Sequence, residues 1–167
     1  MKEEKNAHTA FAKAELYFSQ GNFSQATTGY EKVLQLTNPT DGLHLKALNN
    51  LSEICLKQEN FSQAKGYLDQ LLALKETAKG LTNLAHYYLN GARDVEKAEE
   101  AITKSLAQEE SLEALLIAGI IYKRKGQRQK AQGFFQKILK QDADHAAARE
   151  QLAALFGNRC KTSKPPP

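Results

Sequence analysis

Apolar residues recur at intervals of three and four along nearly the whole chain, which is the period of helices that bury one face. Over residues 7–20 the stripe is Ala10, Ala14, Tyr17 and Phe18, and over 23–36 it is Phe23, Ala26, Tyr30, Val33 and Leu34. Gly21-Asn22 separates the two stripes, a pairing suited to the left-handed residue that closes a helix. The same two-stripe unit then returns. Leu48, Leu51, Ser52, Cys55, Phe61, Ala64, Leu68 and Leu71 mark it over about 42–75. Leu81, Leu84, Ala85, Tyr88, Val95, Ala98 and Ile102 mark it over about 76–108, and Leu115, Ala118, Gly119, Tyr122, Ala131, Phe135 and Ile138 over about 110–142. A final stripe of Ala148, Leu152 and Leu155 predicts a helix over 145–156, which would cover the last apolar face of an open stack. Residues 1–6 read as a charged lead-in to an array over 7–157. Residues 158–167 read as a basic, Pro-ended tail, expected to be disordered.

The turns carry a repeated signature. Gly21-Asn22-Phe23-Ser24-Gln25-Ala26, Glu59-Asn60-Phe61-Ser62-Gln63-Ala64 and Gly126-Gln127-Arg128-Gln129-Lys130-Ala131 share it, and Arg93-Asp94-Val95-Glu96-Lys97-Ala98 is a looser copy. The four alanines lie 38, 34 and 33 residues apart; Asn38-Pro39-Thr40-Asp41-Gly42, a turn cluster, accounts for the long first interval. Small residues stand where paired helices must approach closely: Ala14, Ser52, Ala85 and Gly119 on the first helix of each pair, Ala26, Ala64, Ala98 and Ala131 on the second. The order small–aromatic–Ala–aromatic appears as Ala14/Tyr17/Ala26/Tyr30 and as Gly119/Tyr122/Ala131/Phe135. On these residues the chain resembles the tetratricopeptide repeat family, whose period is about 34 residues. The resemblance implies an all-α, right-handed α-solenoid of four helix pairs, first and second helices alternating, plus a C-terminal capping helix. Two features depart from the family pattern. The proline that usually closes each repeat occurs only as Pro39, and the third turn, Asn90-Gly91-Ala92-Arg93, is one residue longer than the others.

Composition narrows the function classes. The chain has 167 residues, enough for one domain, and its formal charge is +4 with a pI near 9.0. Acids and bases alternate along most helices, whereas a nucleic-acid binder gathers its Lys and Arg on one face; no nucleic-acid partner is expected. The charged start lacks a following apolar run, so it is not read as a signal peptide, and no segment has the length of a membrane span. Cys55 and Cys160 show no metal-type spacing, and two isolated thiols fit a reducing cytoplasm. His8, His44, His86 and His145 are scattered, and no nucleophile–base set, phosphate loop or metal motif is present. A catalytic role, a metal and a cofactor are therefore not expected.

What remains is a surface. In such arrays the first helix of each pair lines the concave face, which receives a peptide or helix of another protein. The register turns Phe11, Phe18, Asn49, Asn50, Leu56, Lys79, Asn83, His86, Leu89, Leu116, Ile120 and Lys123 toward it. Asn50 and Asn83 occupy equivalent places, and a carboxamide can bridge a ligand's backbone N–H and C=O; the resemblance implies a polar ladder of this kind. Some family members grip a C-terminal carboxylate with five residues. Only Asn50 and Lys79 match here, while Phe11, Glu15 and Asn83 replace the other three, and Glu15 would repel a carboxylate. The first helix of the fourth pair, Leu115-Leu116-Ile117-Ala118-Gly119-Ile120-Ile121-Tyr122, is apolar on nearly all sides, so its excess face is covered by neighbours or open to a partner. The reading is a cytoplasmic interaction module. A secretion-type chaperone for an export substrate and a self-associating assembly subunit stand as alternatives.

Overall fold

The computed structural model describes residues 2–156, and every secondary-structure element among them is helical. Helices α1 (Lys2–Ser19), α2 (Phe23–Leu36), α3 (Gly42–Lys57), α4 (Phe61–Leu74) and α5 (Ala78–His86) come first. A π-helical turn, Tyr87–Ala92, follows α5, and then α6 (Val95–Gln108), α7 (Leu112–Arg124), α8 (Arg128–Gln141) and α9 (Ala146–Phe156). The stripe over 23–36 is α2 to the residue. The charged lead-in is helical too, since α1 starts at Lys2 and not at Ala7. Met1 and the basic tail, with Cys160, lie outside the described residues.

Pairs α1/α2, α3/α4, α5/α6 and α7/α8 pack as hairpins, each stacks on the next, and α9 closes the last one. Successive first helices pack side by side, α1 on α3, α3 on α5, α5 on α7 and α7 on α9. Successive second helices touch only lightly, as where the Tyr67 hydroxyl donates to Glu31 Oε1 at 3.3 Å. A stack held tightly along one edge and loosely along the other must curve. The row α1, α3, α5, α7, α9 is therefore its inner wall.

Small residues set the spacing inside each pair. All eight of the positions named from the sequence are buried. A Cβ placed on Gly119 would stand 2.3 Å from Phe135 Cε1, and one on Gly29 would stand 2.7 Å from the Ala14 Cβ. At those points the absence of a Cβ on one helix makes room for the side chain of its partner, the Phe135 ring or the Ala14 methyl group. Larger side chains fill the room on either side: Tyr30, Phe135, Leu48, Leu68, Ile102 and Ile121 are fully buried.

The turns explain the repeated signature. Asn22 N–H donates to the Tyr17 carbonyl at 2.9 Å, Asn60 to Cys55 at 2.8 Å and Gln127 to Tyr122 at 2.9 Å, each spanning five residues. The residue before the donor takes positive φ: Gly21 and Gly126 at 73°, Glu59 at 57°. In the third pair Asp94 donates to Tyr88 at 2.8 Å, one residue further, and Arg93 takes the left-handed conformation with φ 56°. The extra residue is thus absorbed upstream, as the π turn, while the closing bond keeps its place. Asn22, Asn60 and Asp94 then cap the following helix by accepting from Gln25, Gln63 and Lys97 N–H, which satisfies an otherwise orphaned donor.

Polar groups also tie the stack. Asn83, on α5 and only 1% exposed, donates to the Asn49 carbonyl and Oδ1, both at 3.3 Å, and to Ser52 Oγ at 3.1 Å. It fastens the third pair to the second. Within the third pair Ser105 Oγ lies 2.7 Å from Thr82 Oγ1 and donates to the Ala78 carbonyl at 2.8 Å.

Two outcomes follow from this packing. Gly119→Leu drives a side chain into Phe135 and should destabilise the chain by about 3 kcal/mol or more, read as a lower urea midpoint; an unchanged midpoint would remove the close contact from the account. Asn83→Ala strips the inter-repeat tie and should cost about 1–2 kcal/mol, measured by thermal unfolding with the helical content at low temperature preserved.

Candidate functional site

The inner wall is hollowed in its C-terminal half. A cavity of about 590 Å³ opens between α5, the π turn, α7 and α9, with Leu89, Leu116, Ile117 and Ile120 as its apolar lining and His86, Asn90, Glu113, Lys123, Arg124 and Gln151 as its polar one. Helix α7 supplies most of this lining because it is apolar on nearly all sides. Leu115, Ala118, Gly119 and Ile121 are buried against the flanking helices, while Leu116 and Ile120 remain half-buried and face the cavity. Coverage by neighbours and an open apolar patch, posed above as alternatives, both occur on this one helix.

The π turn shapes the adjoining edge. Arg124 donates through Nη1 to the Leu89 carbonyl and through Nη2 to Asn90 Oδ1 at 2.8 Å. A π turn leaves carbonyls without their usual i+4 donors, and this guanidinium supplies one. A second cavity of about 540 Å³ begins there, sharing Leu89, Asn90 and Arg124 with the first and adding Glu59, Phe61, Arg93 and Val95. Lys123 is held from the far side, donating to Gln151 Oε1 of α9 at 2.9 Å.

Charges are threaded through the trough. Glu53 of α3 pairs with Lys79 of α5 at 2.9 Å and with Lys57 at 3.6 Å. Burial lowers the pKa of His86, Lys57 and Arg124 push the same way, and Glu53 opposes them. Burial raises the pKa of the Glu113 carboxyl, Glu53 adds to the rise, and Lys79 and Lys57 oppose it. Glu113 keeps surface exposure, so its desolvation comes from the surrounding trough walls and not from enclosure. Both groups are held toward their neutral forms.

The expected contact residues divide into two sets. His86, Leu89, Leu116, Ile120 and Lys123 converge on the cavity. The others are taken up elsewhere. Phe11 is a core residue, 8% exposed, with its ring 5.6 Å from that of Tyr30. Phe18 is half-buried and packs on Phe23 at 5.9 Å, and Leu56 is buried. Lys79 is paired with Glu53. The polar ladder needs correction: Asn83 is buried and spends its amide N–H groups on Asn49 and Ser52, so it is not presented to the trough. Asn49 is its acceptor, and Asn50 lies half-buried beside Tyr30, whose hydroxyl burial pushes up to about 12. The sequence reading missed Asn90, Arg124 and Gln151. Asn90 enters through the π turn and Gln151 through the capping helix, neither of which belongs to the helix register used to choose candidates, while Arg124, at the end of α7, is drawn in by its bonds to that turn.

Among the described residues no cluster of three His, Cys, Asp or Glu side chains is arranged to hold a metal ion, and no helix is long and apolar enough to cross a membrane. Cys55 is a free, buried thiol whose pKa burial raises, with Glu31 adding to the rise.

Comparison with known proteins places this architecture. A tetratricopeptide repeat model matches residues 6–77, and another tetratricopeptide repeat model matches 113–145; the interval between them holds the pair interrupted by the π turn. No curated protein matches the chain in sequence. Among solved structures, PilW, a widely conserved type IV pilus biogenesis factor, superposes with a TM-score of 0.78 at 20% identity, covering 91% of this chain and 69% of its own. PilF of Pseudomonas aeruginosa gives 0.75 at 17% identity over 95% of this chain and 71% of its own. YrrB, a TPR protein with an unusual peptide-binding site, gives 0.61 at 18% identity over 89% and 75%. Likeness at such identity speaks for the fold. With its four stacked pairs and their repeated turn, the chain belongs to the tetratricopeptide repeat family.

Proposed function

We propose that this protein is an interaction module that captures a peptide or helix of a partner protein in the trough between α5, α7 and α9. The observation that carries the reading is the half-exposed apolar floor of Leu116 and Ile120, set in a cavity of about 590 Å³ with a polar rim. That volume matches a few side chains of a bound segment. Affinity would come from one or two apolar anchors desolvated on Leu116, Ile117 and Ile120, as in most interfaces. His86, Glu113 and Lys123 would orient the segment. That YrrB, of similar fold, has a peptide-binding site fits this reading. A secretion-type chaperone would use the same trough for an export substrate, and an assembly subunit would use the ends of the stack; a cytoplasmic location belongs with all three readings.

A photo-crosslinking residue in place of Leu116, introduced in the source cell, should capture one defined partner, and Ile120→Ala should sharply reduce that adduct while the helical content by circular dichroism is retained. Adducts of equal yield from an outer-face position such as Gln136 would refute the trough as the binding site. A second outcome concerns pH. The folded chain raises the Glu113 pKa above its ordinary value of 4.5, so the stability this group contributes is full below that value and is lost as pH rises through the folded pKa. Glu113→Gln should therefore raise the unfolding midpoint at pH 7, by less than about 1 kcal/mol because the side chain is exposed, with the gain vanishing near pH 3. An equal gain at both pH values would assign it to packing.

A further inference from the structure

The first pair carries a second groove, on the face of α1 and α2 that points away from the rest of the stack. It has a volume of about 550 Å³, and its floor is made by Ala10, Ala14 and Gly29, with Tyr17 and Leu36 at its sides. In every later pair the corresponding groove is filled by the second helix of the pair before it: α2 packs on α3, α4 on α5 and α6 on α7. Register with those pairs shows what differs here. Where the first pair has Thr9, the others have Ala47, Gly80 and Ala114, all buried; where it has Lys13, they have Leu51, Leu84 and Ala118.

A solvated end cap needs polar residues, and mixed charge would serve that need. From Asn6 onward, the described lining carries one sign only: Lys13 and Lys32 line the groove and no carboxylate of residues 6–156 does. Two acids of these helices are directed elsewhere: Glu31 accepts from Tyr67 of α4, and Glu15 lies close enough to Tyr30 to raise its pKa. Neither lysine has an ion-pair partner among the described residues; Lys13 lies over the Tyr17 ring at 5.7 Å. Leu16, 55% exposed, adds an apolar side chain on the same α1 stripe as Thr9 and Lys13, by spacings of seven and three.

We infer that this groove docks an acidic amphipathic helix of a partner protein, lying where the second helix of a preceding pair would lie. The small floor lets a helix approach closely, the apolar stripe of that helix rests on Ala10, Ala14 and Gly29, and its carboxylates meet Lys13 and Lys32. The site is separate from the trough, so the two could be occupied together.

The test uses the full chain, labelled with ¹⁵N, and two synthetic helices: an Ala/Leu stripe flanked by glutamates, and its twin flanked by lysines. The glutamate helix should shift the amide signals of Lys13, Thr28 and Gly29, bind about tenfold more tightly than its twin, and weaken as salt is raised. Lys13→Glu with Lys32→Glu should reverse the preference, and Lys32→Gln alone should give an intermediate loss; both lysines are exposed, so circular dichroism should be unchanged. The inference fails if neither helix binds, if both bind equally (a polar end cap only), or if the shifts fall on Leu116 and Ile120 instead. It also fails if the parent chain self-associates in sedimentation and charge reversal disperses it, since the occupant is then a second copy.

Discussion

Paired helices in this protein meet where one of them carries a small side chain or none beyond Cα, and the rest of the molecule depends on that approach. Gly119 rests against the ring of Phe135, and Gly29 against the methyl group of Ala14. With buried Ala, Ser or Gly at the matching sites of every pair, the two helices of each pair lie close, and such pairs can stack with their first helices in contact along one edge. Curvature follows from the stacking, and the trough follows from the curvature. Substitution at such a contact therefore acts on the inner wall as well as on stability, because a widened pair would tilt its neighbours.

The third pair shows how the array tolerates a departure from its own rule. One additional residue could have displaced the turn and every helix after it. It is taken up as a π turn over Tyr87–Ala92, Arg124 of the next pair supplies donors to the Leu89 carbonyl and the Asn90 side chain, and the closing bond from Asp94 to Tyr88 is kept. The disturbance thereby lands on the rim of the trough. Leu89, Asn90 and Arg124 line both adjoining cavities, so the irregular turn gives this part of the wall a shape that the other pairs lack.

Charge is distributed with comparable economy. In the trough, acids and bases are interleaved, with Glu53 between Lys57 and Lys79, and His86 and Glu113 are both held toward neutrality by desolvation. Such a surface presents little net field and favours apolar contact with polar orientation. The outward groove of the first pair has the opposite character, with two cations and a floor of small side chains. The two surfaces would select different partner chemistries from one scaffold.

Local chemistry written in the sequence determined the helices, their pairing and their turns. A stripe at intervals of three and four, a Gly or Asn at its end and an alanine at a fixed place in the next helix act within one pair, and α2 falls at residues 23–36 as the stripe requires. The trough was half legible: His86, Leu89, Leu116, Ile120 and Lys123 follow from which face of a first helix turns inward. Whether an inward position is free depends on the neighbouring pair, and that is a tertiary matter. Asn83 has the same spacing as a ligand-binding carboxamide, yet Asn49 and Ser52 of α3 consume it; Phe11 is absorbed by Tyr30; Gln151 arrives from a helix outside the repeat. Spacing along one helix fixes direction, while only the packed stack decides which directed groups are already satisfied.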